Sequence, residues 1–96
     1  MLMKWIEIIN LRSAGIPTES IKRKIPRSVA EVDQTKNLVS VQVYRHATLD
    51  TDLSVHLLFE SSRPELRPSA PGQRLASALK AFGLVSHSLW VEEERE

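Results

Sequence analysis

The sequence predicts one small α+β domain whose strands and helices follow the order β-α-β-β-α-β. Two neighbouring segments, residues 37–46 and 53–61, alternate apolar and polar side chains with the period of two expected of half-buried strands. A segment on either side of this pair repeats apolar residues at helical spacing, and Ile- or Val-rich stretches open and close the chain. With 96 residues there is room for one core, so residues 1–96 are read as a single domain, with 93–96 a solvated tail.

The first strand is expected over residues 4–12, bounded by the breaker stretch Ser13-Ala14-Gly15-Ile16-Pro17. Ile6 and Ile8 fall on one face, with Trp5, Glu7, Ile9 and Leu11 on the other. Apolar groups on both faces suit a strand covered on both sides. Thr18 is placed to cap a helix whose stripe is Ile21, Ile25, Val29 and Val32. Pro26 interrupts that stripe and predicts a kink, or a restart near Ser28 with Glu31 closing a capping box. In the middle pair, Val39, Val41 and Val43 oppose Ser40, Gln42, Tyr44 and His46. Likewise Leu53, Val55, Leu57 and Phe59 oppose Ser54, His56, Leu58 and Glu60. The short polar stretch 48–52 is a hairpin connection. After a loop over 62–71 holding three prolines, Leu75, Ala78, Leu79 and Phe82 make a helical stripe that Gly83 ends. The last strand covers 85–92.

Composition narrows the function classes. A hydrophobic fraction of 42% and a charged fraction of 26% indicate a folded globule. A net charge of +1 gives no electrostatic footprint for nucleic acid. The absence of cysteine excludes disulfides, thiolate metal sites and cysteine nucleophiles. Lys4 and Glu7 break the first apolar run, so a secretory signal is not expected, and no segment reaches the ~20 apolar residues of a membrane span. The expectation is a cytoplasmic protein with no membrane contact.

The element order is that of a ferredoxin-like sandwich, a four-stranded antiparallel sheet with two helices on one face. The aliphatic parities should meet the helices. The second face then collects Gln42, Tyr44, His46, Ser54, His56, Leu58, Ser86, Ser88 and Trp90, nearly free of charge yet holding large apolar groups. Burying each of Tyr44, Leu58 and Trp90 is worth roughly 1.5–3 kcal/mol. A patch of that kind predicts a cover, most simply the same face of a second chain in a twofold homodimer.

The stretch Gly72-Gln73-Arg74-Leu75, with the run from Ala78-Leu79-Lys80-Ala81-Phe82-Gly83 through Leu84-Val85-Ser86-His87-Ser88-Leu89-Trp90, resembles dimeric α/β-barrel domains of the antibiotic-biosynthesis monooxygenase type, in an uncharacterised bacterial branch of them. The resemblance spans nearly the whole chain as a pattern of elements. It implies sheet-to-sheet pairing. Some such domains oxidise aromatic substrates without a cofactor, some degrade haem, and many have no known activity. The haem-degrading members use an Asn, a Trp and a His around the cavity. Asn10 could match the Asn, but Trp90 and His87 both lie in the last strand, so that triad is not carried over.

The candidate chemistry centres on histidine. His46 and His56 share the second face if the hairpin is regular, and imidazole can act as base or ligand near pH 7. A hydrogen-bonded interface histidine is the favoured alternative. His87 has the opposite parity and should point toward the helices as a satisfied core or edge residue. Two histidines are too few for a catalytic metal site, so no metal and no cofactor are expected. Asp50 and Asp52 lack the glycine and later glutamate of a calcium loop. Lys22, Arg23, Lys24 and Arg27 read as the exposed side of a helix. Ser54, Ser86 and Ser88 have no nucleophile-elbow motif. The sharpest reading makes Tyr44, His56 and Trp90 the walls of a cavity, between sheet and helices or between subunits, for a small apolar or aromatic molecule, with His46 a further ligand-binding candidate. In it His56 moves a proton and Arg74 holds an acidic group. Two functions stay open: a dimerisation or small-molecule-binding module, and a cofactor-free monooxygenase-like enzyme.

Overall fold

The computed structural model describes residues 1–16, 18–26 and 37–93. Its elements are strand β1 (Met3–Ser13), helix α1 (Thr18–Lys22), strands β2 (Leu38–Arg45) and β3 (Asp52–Ser61), helix α2 (Ala70–Leu79) and strand β4 (Gly83–Val91). A 3-10 turn, Lys80–Phe82, joins α2 to β4. The fold is α+β, with a four-stranded antiparallel open sheet in the order β2-β3-β1-β4.

β1 lies inside the sheet, and its registers resolve the parity that its sequence left ambiguous. Trp5, Glu7, Ile9 and Leu11 are buried toward the helices, and Ile6 and Ile8 take the other face. Opposite them on β3 stand Phe59, Leu57, Val55 and Leu53, so the core is built of directly paired side chains. Trp5 and Phe59 stack with ring centroids 5.4 Å apart and planes 9° apart. Ile21 and Ile25 close this layer from one side; Leu75, Ala76 and Leu79 close it from α2.

Three expectations change. The alternation in β2 is broken by a bulge between Leu38 and Ser40, which puts Leu38 opposite Phe59 and turns Val39 out to 48% exposure. Val41 stays buried, while Val43 near the strand end is exposed. Helix α1 ends at Lys22, ahead of Pro26. Lys24 N–H and Ile25 N–H bond back three residues, to Ile21 O and Lys22 O, as the chain leaves the helix before a proline that disfavours helical geometry in its predecessor. Val29, Val32 and the Ser28–Glu31 box lie outside the described residues.

Helix α2 starts earlier than its stripe suggests, and its buried positions are Gly72, Leu75, Ala76 and Leu79, with Ala78 exposed. Gly83 opens β4. A side chain there would drive a Cβ onto Arg12 O and to 2.8 Å from Ser13 Cα, so the neighbouring backbone of β1 demands the glycine.

The start of α2 explains Glu7, the one buried charge-bearing residue among the described residues. Ser69 is the N-cap, and its Oγ accepts from Gly72 N–H at 3.1 Å. In a capping box the third helical residue would return a carboxyl group to the N-cap N–H. Here that position is Gly72, and Glu7 of β1 supplies the carboxyl group instead. Glu7 Oε1 accepts from Ser69 N–H at 2.7 Å, and its other oxygen lies 2.7 Å from His87 Nε2 on β4. Any side chain at Gly72 would collide with that carboxyl group. Glu7 is 0% exposed, so both of its oxygens depend on these partners. Glu7→Ala should therefore cost about 3–5 kcal/mol in urea unfolding. Glu7→Gln, which keeps the shape and the acceptor toward Ser69, should cost less. Equal losses for the two variants would show that packing, not hydrogen bonding, holds this seat.

Candidate functional site

The two helices cover one face of the sheet and leave the other open. The registers arrange that open face in rows. Tyr44, Ser54, Asn10 and Ser86 form one row; Gln42, His56, Ile8 and Ser88 the next; Ser40, Leu58, Ile6 and Trp90 the third. Charge is confined to the ends. Arg12 pairs with Asp52 at 3.3 Å beyond the first row, and Lys4 stands opposite Glu60 beyond the third. Between them lies an uncharged surface on which Ile6, Ile8 and Leu58 are half-buried and Tyr44 and Trp90 are 50% and 59% exposed; Leu84, 76% exposed, stands beside Arg12 at one end.

Tyr44 and His56 are brought together as the alternation implied. Their rings lie 4.7 Å apart, tilted by 50°. Ser54 Oγ sits 2.9 Å from His56 Nε2. Burial lowers the His56 pKa below the usual imidazole value, because the cation loses hydration on this apolar floor. The ring is thus neutral near pH 7 and able to accept a proton. Asp52 is lowered as well, chiefly by the Thr51 hydroxyl that donates to it and by Arg12.

The other candidates do not join this pair as expected. His46 lies just past the end of β2, where its Nδ1 accepts from the backbone N–H groups of Thr48 and Leu49, each at 3.1 Å. It shapes the hairpin turn and shares with Tyr44 a cleft of about 500 Å³ that also takes in Asn10, Ser54 and Ser86. Trp90 is on the same face but on the opposite edge strand, three strands across from Tyr44 and two rows further along. Its indole N–H donates to Ser88 Oγ at 2.9 Å. Arg74 lies on α2, on the far side of the sheet. There it lines a separate cavity of about 880 Å³ with Trp5, Glu7, Arg63 and Arg67. It cannot hold a group bound at His56, because the sheet stands between them.

What this arrangement can do follows from its groups. Ser54 and His56 are within nucleophile–base reach, but among the described residues no third side chain orients the imidazole from its other nitrogen. Nor do the described residues contain a group of three His, Asp or Glu side chains able to hold a metal ion. The cluster is suited to holding a flat molecule against Tyr44 and exchanging one proton with it. His87 faces the helices as its parity indicated, and its link to Glu7 was missed. The available signal was a lone glutamate in the apolar run of β1. Compared with protein families, curated proteins and solved structures, the chain matches none.

The lowered His56 pKa sets a pH dependence. Below about pH 6.5 the unfolded imidazole takes up a proton that the folded one resists, so folding stability falls as pH falls through that window. Asp52 acts only in the lower carboxylate range and does not overlap. Between about pH 8 and about pH 5, the wild-type melting temperature should drop further than that of His56→Gln. Parallel curves would mean that the imidazole is as well solvated folded as unfolded.

Proposed function

We propose that the chain is a homodimeric small-molecule-binding module of the ferredoxin-like class, its open sheet face closed by the same face of a second copy. The observation that carries this reading is the distribution of charge. Arg12, Asp52, Lys4 and Glu60 mark two ends of the face, and the surface between them is uncharged and partly aromatic. A face meant only for water has no reason to sort its side chains this way.

Size supports it too. Four strands at ~4.8 Å spacing and roughly 30 Å long give a plane of about 600 Å². With side chains standing on it, that approaches the ~800 Å² per partner of a standard interface. Two such faces would stack about 10 Å apart. The large groups Ile6, Leu58 and Trp90 would fill that gap in one row. The short side chains Ser54 and Ser86 would leave it open beside Tyr44 and His56, and there a small apolar or aromatic molecule would lie. This is the sheet-to-sheet arrangement implied by the resemblance to antibiotic-biosynthesis-monooxygenase-type domains.

The enzyme reading, a cofactor-free monooxygenase-like activity on a small aromatic substrate, draws on His56 alone. Burial keeps its ring neutral, and among the described residues the Ser54 hydroxyl is the one side chain that hydrogen-bonds to it.

Light scattering at tens of micromolar checks the assembly. Leu58→Glu, which places a charge at the centre of the face, should halve the mass of the wild-type species, and a wild-type monomer would remove the proposal. Fluorescence titration with simple phenols and aromatic acids checks the ligand. Tyr44→Ala should weaken binding about three- to tenfold, the range of one aromatic contact. Unchanged affinity would move the ligand elsewhere.

A further inference from the structure

Strand β4 is an edge of the sheet, and the direction of its free backbone groups can be read from its two ends. Ala14 N–H donates to Phe82 O, and Glu92 N–H donates to Lys4 O, both at 2.9 Å. Antiparallel pairing alternates, so the even-numbered positions of β4 spend their hydrogen bonds on β1. The odd-numbered ones, Gly83, Val85, His87, Leu89 and Val91, turn N–H and C=O to the outside.

Exposed edges are normally blunted by a charge, a proline or a bulge. β2, at the other edge, has its bulge and ends in Arg45. β4 has none of these: from Gly83 to Val91 it carries no Lys, Arg, Asp, Glu or Pro, and its pairing with β1 runs without a register shift. It also reads nearly the same in both directions. Around His87, Leu-Val-Ser precedes and Ser-Leu-Trp follows, and His87 is the midpoint of the strand.

We propose that β4 pairs antiparallel with β4 of a second copy across a twofold axis at His87, continuing the sheet from one chain into the other. Centred on His87, the twofold pairing lets the outward N–H and C=O of His87 exchange both hydrogen bonds with those of its copy. In this register Ser86 meets Ser88 of the other copy, and Val85 meets Leu89, extending the core layer. Leu84 meets Trp90. These two are the most exposed large hydrophobic side chains of the sheet, and each would cover the other. The outward groups of both strands would form up to about ten backbone hydrogen bonds. This contact lies beyond the open-face contact proposed above. It uses the backbone edge of β4 rather than the sheet face, with Leu84 and Trp90 bordering both, and the two can coexist in one assembly.

The register gives the test. Ser86 and Ser88 of the partner copy form a non-hydrogen-bonded pair with Cα atoms about 4.5 Å apart, within disulfide range. The chain has no cysteine of its own. Ser86→Cys and Ser88→Cys proteins are purified separately, then oxidised alone and as an equimolar mixture. A cross-linked species on a non-reducing gel is expected in the mixture and not in either protein alone. No cross-link in the mixture, or equal cross-linking in the single proteins, overturns the register. Val85→Pro offers a second readout, because the N–H it deletes is an outward one that the β1 ladder does not use, although it also trims a side chain packed against the core. It should halve the assembly mass while keeping the far-ultraviolet circular dichroism of the wild type; a folded variant with unchanged mass overturns the pairing. Leu58→Glu separates the two contacts. If the edge is paired, the mixed cross-link survives that substitution. If only the open face is paired, the mass halves and no mixed cross-link forms.

Discussion

The carboxyl group of Glu7 ties together three elements that are far apart in the sequence. It sits on the central strand β1, takes the N-cap N–H of α2 on one oxygen and meets His87 of β4 on the other. A carboxyl group buried this completely would be costly without partners, so the structure is stable only when strand, edge and helix all hold their places. Gly72 belongs to the same constraint, because the helix can approach β1 closely only where it has no side chain. The seat of α2 thereby decides which sheet face is closed. By exclusion it also decides which face is left for other uses.

That division is visible in how polarity is spent. On the helix side every large polar requirement is met within the chain: described side-chain N and O atoms that are buried all have partners. On the open side polar groups run across two rows, Tyr44, Ser54, Asn10 and Ser86, then Gln42, His56 and Ser88, beside the row that holds Ile6, Leu58 and Trp90. The lowered pKa of His56 belongs to the same asymmetry, since neighbouring side chains of this face partly shield the ring from water.

Much of this could be read from the residues, and the failures have physical causes. β3 gave up its two faces cleanly because a half-buried strand must alternate, and Tyr44 met His56 for the same reason. β2 misled at Val39 because a bulge slips parity by one residue without leaving a mark in composition. The start of α2 was hidden by prolines that read as loop, although Ser69 followed by Pro71 is also the signature of a capped helix entering its first turn. Arg74 was grouped with open-face residues although the helices were expected on the aliphatic face, and a helix on that face puts the sheet between Arg74 and His56. His46 was placed by extending an alternation past the end of its strand. The Glu7–His87 contact joins positions eighty residues apart, and only the sheet order brings them together.

β4 shows how these constraints meet in one strand. One face of it contributes His87 to the Glu7 seat, and the other contributes Trp90 to the open surface. Its even-numbered backbone groups complete the ladder with β1. That leaves only the outer edge uncommitted, along a stretch free of the charges and prolines that would otherwise guard it. A strand held on its helix-facing side and along one edge presents its remaining hydrogen-bonding groups in a fixed direction. Rigid presentation lowers the ordering cost of pairing with an identical strand, which is the condition under which a short, self-complementary edge can serve as an interface.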